Sequence, residues 1–315
     1  VQAEARKARY RLMADWARDH GLSGIALGHT RDDQAETVLM RLARGAGVDG
    51  LSAMAQRREQ HGVTWWRPLL DTDRAALRAF LVEKGIAWIE DPGNEDTSFE
   101  RIKPRQSWDA LAPLGITPAA LAQVAENMQS ARAALALQTG AAAQTCVRTV
   151  AGAVRIVPDA YQSLPDEIAR RLMLSALAWL NSAVYAPRRR SLDAARRAVF
   201  AEGAATVDGC HMKIAGGSLW VFREYNAVKD HSTPPGTNWD SRWQLEGPAT
   251  KEIRIAALGE AGLAACPDWR DLGVPREALL ATPAVWRGND LVAAPLVNPS
   301  AEWCAYLTQP EISFF

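Results

Sequence analysis

One short stretch constrains the fold of this chain more than any other: an apolar run that passes directly into an acidic helix start. The apolar run is Gly24-Ile25-Ala26-Leu27, and the sequence GHTRDDQAET follows it over residues 28–37. The run predicts a short buried strand, and Thr30 with Asp33 three positions later resembles a capping box that starts a helix. A strand that leads straight into a helix is typical of a parallel α/β sheet.

The same alternation surrounds this stretch. Helical spacing of apolar residues predicts a helix over residues 1–20, and a second from Thr30 to a stop at Gly45. The next predicted elements are a strand at 65–70, a helix at 73–84 with Leu77, Phe80 and Leu81 facing inward, and a strand at 87–89. We therefore predict an α/β domain over residues 1–106, with a long polar segment, DPGNEDTSFERIKPR, near its end.

The rest of the chain has a different character. Helices are predicted at 117–137, 164–180 and 191–201, a hairpin at 147–157, and short strands near 206–207, 211–214 and 218–222. We interpret residues 107–235 as a mainly helical domain and the polar stretch 230–238 as a linker. Residues 236–315 are predicted to form a small α+β domain with strands near 252–256 and 291–294.

Composition limits the setting in which this chain works. The formal net charge is zero, so a nucleic-acid partner would have to be bound by local patches. No apolar run approaches the roughly 18 residues of a membrane span, and we expect no membrane partner. The four cysteines are widely spaced without a CxxC pair, which favours a reducing cytoplasm over a disulfide framework or a zinc site.

Two interpretations of the acidic stretch 28–37 remain open from the residues alone. Asp32 and Asp33 in the first helical turn interact favourably with the helix dipole, and His29 is then an ordinary strand-end histidine. Alternatively, His29 lies at the carboxyl edge of a parallel sheet, where ligands bind, and Asp32, Asp33 and Glu36 gather around a cation. Magnesium bound to nucleotide phosphates would supply that cation, since Mg²⁺ takes a few carboxylates plus phosphate oxygens.

A GxGxxG pattern at Gly45, Gly47 and Gly50 does not predict a dinucleotide site. That fingerprint requires a strand before it, and here a helix precedes it. We interpret the pattern as a helix stop followed by a turn.

Three blocks of the sequence resemble one family, the tRNA(Ile)-lysidine synthetases, which are N-type ATP pyrophosphatases. The first block is GHTRDDQAETVLMRLARGAGVDGLSAM, the second is RPLLDTDRAALRAFLVEKGIAWIEDP, and the third is DPGNEDTSFER. They cover about residues 24–105 in the family's order and spacing. The resemblance implies a parallel-sheet PP-loop ATPase domain, of the adenine nucleotide alpha hydrolase type, followed by a mainly helical tRNA-binding domain and a small α+β domain.

The activity implied by the resemblance has two steps. The wobble cytidine of an isoleucine tRNA with the anticodon CAU is adenylated from ATP, with release of pyrophosphate. The amine of free lysine then attacks C2 of the cytidine and releases AMP. The implied substrates and cofactors are tRNA-Ile, lysine, ATP and Mg²⁺. A cytoplasmic location is expected, and a homodimer is left open.

The family's fold begins with a strand and an SGGxDS loop that holds the ATP phosphates. The 315 residues of this sequence contain no SGGxDS stretch. The only similar stretch, Gly216-Gly217-Ser218, lies far downstream between two predicted strands. We therefore expect a domain without its first strand and loop, and little or no ATP turnover by these 315 residues alone.

Roles for individual residues follow from the same resemblance. His29, Asp32, Asp33 and Glu36 are expected to serve catalysis, with Asp33 as a magnesium ligand. Arg67 suits a phosphate or carboxylate, and the alternative for it is a salt bridge to Asp71 or Asp73. The segment 91–101 is expected to shape the lysine and cytidine pocket through Asp91, Asn94, Asp96 and Arg101, and the alternative there is a self-capped loop.

Between residues 165 and 200 the chain carries seven arginines but only Asp166, Glu167 and Asp193 as acids. We predict that part of this cluster binds tRNA, namely Arg188, Arg189, Arg190, Arg196 and Arg197. The alternative is a solvated helical face.

Other functions remain to be weighed against lysine ligation. One is a non-catalytic tRNA-binding protein that has lost its ATP loop. Another is a related PP-loop enzyme that thiolates tRNA, but such enzymes commonly carry CxxC pairs, which this chain lacks. A glutamine-dependent amidotransferase is disfavoured because no glutaminase Cys-His pattern is present.

Overall fold

The computed structural model describes residues 2–89, 107–182, 186–248, 250, 252–308, 312 and 314. The chain divides into two compact units, Val1–Ala134 and Leu135–Phe315. Residues 107–134 thus belong to the first unit. The finer division into domains at 106 and 235 stays a prediction.

The first unit combines helices with a small sheet. Its elements in chain order are α1 (Gln2–Asp19), β1 (Gly24–Ala26), α2 (Arg31–Leu42), α3 (Val48–Leu51), β2 (Arg57–Gln60), β3 (Val63–Trp66), α4 (Arg74–Glu83), α5 (Trp108–Leu111), a 3₁₀ turn (Ala112–Leu114) and the first part of α6 (Pro118–Cys146).

The sheet has the order β1-β3-β2. Strand β1 pairs with β3 in parallel, with Ala26 opposite Trp66, whereas β2 pairs with β3 as an antiparallel hairpin. The parallel pair was predicted, but the hairpin was not, because β2 reads Arg-Arg-Glu-Gln and lies almost wholly exposed. The strand predicted at 65–70 begins at Val63 and ends at Trp66, since the chain turns at Arg67 and Pro68.

Two buried clusters lie in the first unit, one against the sheet and one between helices. Tyr10, Met13, Ala14 and Ala17 of α1 pack on Val63 and Trp65. Ala35 and Val38 of α2 pack on Leu121 and Ala125 of α6. The apolar stripes predicted for α1 and α2 face inward only in part, because Trp16 of α1 and Leu42 of α2 are more than half exposed.

Helix α4 departs from its prediction. None of its residues is buried, and Phe80 is 52% exposed. Residues 86–89 form neither helix nor strand, so the strand predicted at 87–89 is wrong. Apolar periodicity predicted the helix correctly, but periodicity alone does not supply a surface for that helix to pack against.

The second unit begins within α6 and contains most of the sheet structure. Its further elements are β4 (Val147–Val150), β5 (Ala153–Ile156), α7 (Pro158–Gln162), α8 (Asp166–Asn181), α9 (Arg189–Glu202), β6 (Ala204–Val207), β7 (Cys210–Ala215), β8 (Ser218–Arg223), α10 (Tyr225–Val228), β9 (Ser232–Thr233), β10 (Trp243–Glu246), β11 (Ile253–Ala257), α11 (Gly259–Ala264), a 3₁₀ helix (Pro267–Leu272), α12 (Arg276–Leu280), β12 (Pro283–Arg287), β13 (Asp290–Ala293) and β14 (Cys304–Leu307).

Five of these strands form one antiparallel sheet in the order β4-β5-β8-β7-β6. Helices α8 and α9 pack on the sheet through a buried cluster that includes Leu172, Leu177, Val199 and Met212. The individual strands were predicted, and helices supply more of residues 107–235 than strands do, but the assembly of these strands into one sheet was not predicted. Only the tertiary structure brings together strands that are far apart in the chain, as when Val154 pairs with Val221, 67 positions later.

The C-terminal part holds a four-stranded sheet, β13-β12-β11-β9, and the pair β10-β14. Strand β9 pairs with β11 within the stretch 230–238, and Trp239 beside it is fully buried. That stretch is therefore not a linker, although its Pro and Gly content is typical of one. Trp239, Trp243, Trp286 and Trp303 fill the interior of this region. No helix among the described residues is long and apolar enough to cross a membrane.

Candidate functional site

The carboxyl ends of β1 and β3 lie at the same edge of the first sheet, because the two strands are parallel and in register. Past these ends, the Leu27 amide still donates to the Trp66 carbonyl, at 2.8 Å. His29 and Arg67 follow at this edge, one after each strand. In open α/β structures ligands bind at such an edge. The sequence predicted both residues, and the sheet register brings their strand ends together.

The start of α2 is fixed by the predicted capping box. Thr30 and Asp33 form the reciprocal pair. The Asp33 carboxylate accepts the Thr30 amide at 2.8 Å and the Thr30 hydroxyl at 3.0 Å. Asp33 thus has a structural task, because a capping box satisfies amides at a helix start that have no partner within the helix.

The starts of α2 and α4 brace each other. Arg31 donates to both carboxylate oxygens of Asp73, at 2.9 and 3.0 Å, and to the carbonyl of Asp71. In the opposite direction, the backbone amide of Arg74 donates to the Asp32 carboxylate at 2.8 Å. Each helix start therefore supplies an acid to the other helix.

The Arg74 side chain completes this brace. Its Nη2 lies 3.4 Å from Asp33 Oδ1 and 3.6 Å from Glu36 Oε1. Glu36 is almost fully buried, with 1% of its surface exposed. The acids of residues 28–37 thus have arginines as neighbouring cations. Sequence reasoning missed Arg31 and Arg74, although the mirrored charge order in Arg31-Asp32-Asp33 and Asp71-Thr72-Asp73-Arg74 was a usable signal.

The oxygens of the acidic stretch test how well a magnesium ion would fit. Asp33 is engaged by Thr30 and Arg74, and Asp32 by the Arg74 amide. In the described part of the chain, no group of three or more His, Cys, Asp or Glu side chains could hold a metal ion. These residues do not form a magnesium site by themselves, so a metal here would depend on phosphate oxygens of a ligand.

Arg67 is the buried cation of this sheet edge, with 4% of its surface exposed. Its Nη1 donates to the Ala55 carbonyl at 2.7 Å, while its Nε is buried without a hydrogen-bond partner. The alternative of a salt bridge to Asp71 or Asp73 is wrong, since Asp73 pairs with Arg31 and no carboxylate of the described residues pairs with Arg67. A buried charge without an opposite charge is costly, which makes the site suited to an anionic ligand.

The segment that was predicted to shape the lysine and cytidine pocket lies outside the described residues. This applies to Asp91, Asn94, Asp96 and Arg101. Their roles stay predictions. The turn interpretation of the GxGxxG pattern is confirmed, because Gly45 has a φ of +67° after α2 and the short helix α3 follows Gly47.

The arginines of the second unit divide into two groups. Arg188, Arg189, Arg190 and Arg197 are exposed at the start or along the outer face of α9. Arg196 instead turns inward, with Nη2 3.0 Å from Asp166 and Nη1 3.5 Å from Asp193. Burial alone would lower the pKa of the Arg196 guanidinium, but Tyr161 and Asp166 raise it above its usual value.

Arg170 and Arg171 are also compensated. Both guanidinium groups contact Glu167, at 2.6 and 2.9 Å, and the hydrogen bond from Arg170 is the largest of the effects that lower the pKa of the Glu167 carboxyl.

An open cleft of about 740 Å³ lies beside Arg196, between α7, the start of α8 and α9. Its lining combines Tyr161 and Phe200 with Arg196 and Arg197. Of the five predicted tRNA contacts, Arg196 is therefore the one engaged in internal ion pairs with acids on two helices.

Comparisons with known proteins bear on the family of this chain. Residues 1–108 match the model of the PP-loop domain family of ATP-binding proteins. The whole chain is 48% identical over 315 residues to the tRNA(Ile)-lysidine synthase of Ruegeria pomeroyi and covers 75% of that relative. It is 30% identical over 309 residues to the tRNA(Ile)-lysidine synthase of Wolbachia pipientis, covering 95% of this chain and 71% of that relative.

The similarity to the Ruegeria protein extends through both compact units and beyond the PP-loop domain. A match of this extent and identity decides the family. The chain belongs to the tRNA(Ile)-lysidine synthase family and contains its PP-loop domain.

Proposed function

We propose that this protein ligates lysine to C2 of the wobble cytidine in the isoleucine tRNA with anticodon CAU. ATP supplies the activation, through an adenylated cytidine and with release of pyrophosphate, and the amine of lysine then displaces AMP. Membership in the family supports this assignment. The modified base pairs with A instead of G, so the tRNA changes from reading AUG to reading AUA.

The observation that carries the site assignment is the buried guanidinium of Arg67 at the carboxyl edge of the parallel strands, which pairs with no carboxylate of the described residues. Every substrate of the proposed reaction carries an oxyanion, either a phosphate or the carboxylate of lysine. A planar guanidinium with free donors can bind either group through two hydrogen bonds. An oxyanion would therefore give Arg67 the anionic partner that the described part of the protein does not supply.

The other predicted residues take roles that follow from their surroundings. His29 follows the neighbouring strand and is proposed to contact phosphate or the cytidine ring. The start of α4 and the Arg74 side chain are held by Asp32, Asp33 and Glu36. We propose that these three acids thereby fix the position of α4 next to the site. Binding of Mg²⁺ by Asp33 remains part of the proposal only together with the phosphates of ATP.

The segment 91–101 and the exposed arginines complete the proposal. Asp91, Asn94, Asp96 and Arg101 are proposed to face lysine and cytidine. Arg188, Arg189, Arg190 and Arg197 are proposed to contact the tRNA backbone, because they are exposed on one helix region. A cytoplasmic location and a homodimer are proposals of the same rank.

Substitution of Arg67 in the full-length protein tests this proposal. Arg67→Gln removes the charge, and Arg67→Lys keeps the charge but removes the planar fork. We expect both to lower kcat/KM for lysidine formation, by roughly 100-fold for the glutamine variant, because a buried charge-assisted hydrogen bond to a substrate oxyanion is lost. Arg58→Gln, on the exposed strand β2, is the matched control and should retain activity.

The readout is lysidine in tRNA digests after incubation with ATP and lysine. Full activity of Arg67→Gln would refute the role of Arg67. Absence of lysidine in the wild type, combined with retained tRNA binding, would instead favour the non-catalytic tRNA-binding protein.

A further inference from the structure

The buried Arg67 takes its orientation from a segment without regular structure, residues 52–56, which joins α3 to β2. The Ala55 carbonyl is the acceptor of Arg67 Nη1 at 2.7 Å, and the Gln56 carbonyl accepts the Arg67 amide at 2.8 Å. No other described residue accepts a hydrogen bond from this guanidinium. The position of residues 52–56 therefore determines where the guanidinium points.

Gln34 of α2 holds this segment from one side. Its Nε2 donates to the Met54 carbonyl at 2.8 Å, and its Oε1 accepts the Met54 amide at 2.9 Å. The side chain amide thus pairs with one peptide in both directions, as a neighbouring strand would. Gln34 is buried, with 5% of its surface exposed, so water does not compete freely for these bonds.

Gln129 of α6 holds the same segment from a second element. Its Nε2 donates to the Ser52 carbonyl at 2.9 Å and to the Met54 carbonyl at 3.2 Å. The segment needs such support, because Ala53 has a φ of +48°, a left-handed conformation that residues with a side chain rarely adopt. Ser52 is fully buried, which fits a segment with little freedom to shift.

We propose that Gln34 and Gln129 are positioning residues that aim the Arg67 guanidinium at the oxyanion of its substrate. They act through residues 52–56 and touch no substrate themselves. This inference rests on the proposed function of Arg67. Bidentate binding by a guanidinium depends on its direction as much as on its charge, and small misplacements of a substrate-binding group cost large factors in rate.

The test replaces each glutamine by a residue of similar length without hydrogen-bonding groups. The variants are Gln34→Met and Gln129→Met, and Gln123→Met on the exposed face of α6 is the matched control. We expect about a tenfold rise in KM for one substrate, with kcat within about twofold of the wild type, and no change for the control. A rise for ATP identifies a phosphate as the oxyanion, and a rise for lysine identifies its carboxylate.

A double-mutant cycle separates positioning from mere stabilisation. In an Arg67→Gln background, the effect of Gln34→Met on KM should vanish, because there is no guanidinium left to aim. The inference is overturned if the tenfold effect persists in that background. It is overturned as well if KM for both substrates stays at the wild-type value while only Tm falls.

The milder variant keeps the test informative if Gln34→Met fails to fold, since Gln129→Met leaves both bonds of Gln34 in place. Failure of the proposed function itself has a different signature. In that case Arg67→Gln alone has wild-type kinetics, whatever the glutamine variants do.

Discussion

At the scale of the residue, the nearest opposite charge decides what an ionisable side chain does. Asp32, Asp33 and Glu36 are close in sequence and would repel one another without a cation. The fold places Arg74 among them, with its amide on Asp32 and its guanidinium near the other two. Arg67 shows the opposite situation, since it is buried where the described chain offers a carbonyl but no carboxylate.

Arg74→Gln tests whether Arg74 compensates these acids. Its removal leaves the buried Glu36 without this cation, and we expect a loss of roughly 2 kcal/mol in the free energy of unfolding, because the Arg74 side chain is one-third exposed and the pair is only partly desolvated. Urea unfolding with an unchanged m-value would measure the loss.

The double variant Arg74→Gln with Glu36→Gln provides the control, since it removes both charges together. It should recover part of the lost stability. If it is no more stable than Arg74→Gln alone, Arg74 does not act through Glu36.

At the scale of the element, helix α9 contains two kinds of arginine, which are either exposed to solvent or paired with acids of the protein. Its apolar residues Leu192, Ala195 and Val199 face the core, and this fixes which neighbours point outward. Arg196 lies beside that buried stripe and pairs with Asp166 and Asp193, whereas Arg197 is exposed one position later. Helical phase therefore separates a structural arginine from one that is free to meet RNA.

Alanine substitutions on α9 should separate these two kinds. The triple variant of Arg188, Arg189 and Arg190 should weaken tRNA binding and reduce the slope of log K against log salt by roughly 2 to 3, because each lost phosphate contact removes somewhat less than one unit. The same variant should leave Tm nearly unchanged, since all three side chains are exposed. Filter binding at several salt concentrations measures the slope.

Arg196→Ala is the contrasting variant. It should lower Tm by a few degrees, because Asp166, Asp193 and Tyr161 lose a common partner. An unchanged salt slope in the triple variant would show that the cluster is a solvated face.

At the scale of the whole molecule, the chain holds two compact units that differ in how completely they bury their apolar residues. Three large clusters lie in residues 135–315 and include fully buried Leu172, Leu279 and Trp239. The first unit has two small clusters, and it exposes apolar side chains such as Trp16 and Phe80. The two units should therefore differ in stability.

We predict that residues 118–315, which begin at the start of α6, fold by themselves. Thermal unfolding followed by far- and near-UV circular dichroism should show one cooperative transition at coincident temperatures. Residues 1–117 alone should unfold with a broad transition, because they lose Leu121 and Ala125 as partners of α2. A broad, non-coincident transition for residues 118–315 would contradict the prediction.

The sequence alone determined several local elements and the family, although it missed strand β2 and wrongly predicted a strand at 87–89. The strand before GHTRDDQAET, the capping box at Thr30 and the helices of the second unit follow from residue spacing, since these depend on neighbours within a few positions. The three blocks in residues 24–105 also sufficed to indicate the family that the comparisons confirm. Local secondary structure and sequence motifs both depend on residues that are close together in the sequence.

Only the tertiary structure decided which residues meet across long separations. It joined hairpin 147–156 and strands β6 to β8 into one sheet. It placed strand β9 in the stretch that was predicted to be a linker, and it left helix α4 without a buried face. It also set Arg74 against Glu36 and Gln129 against Ser52. Pairing of this kind depends on the burial and direction of both partners after folding, and spacing along a single chain does not specify either.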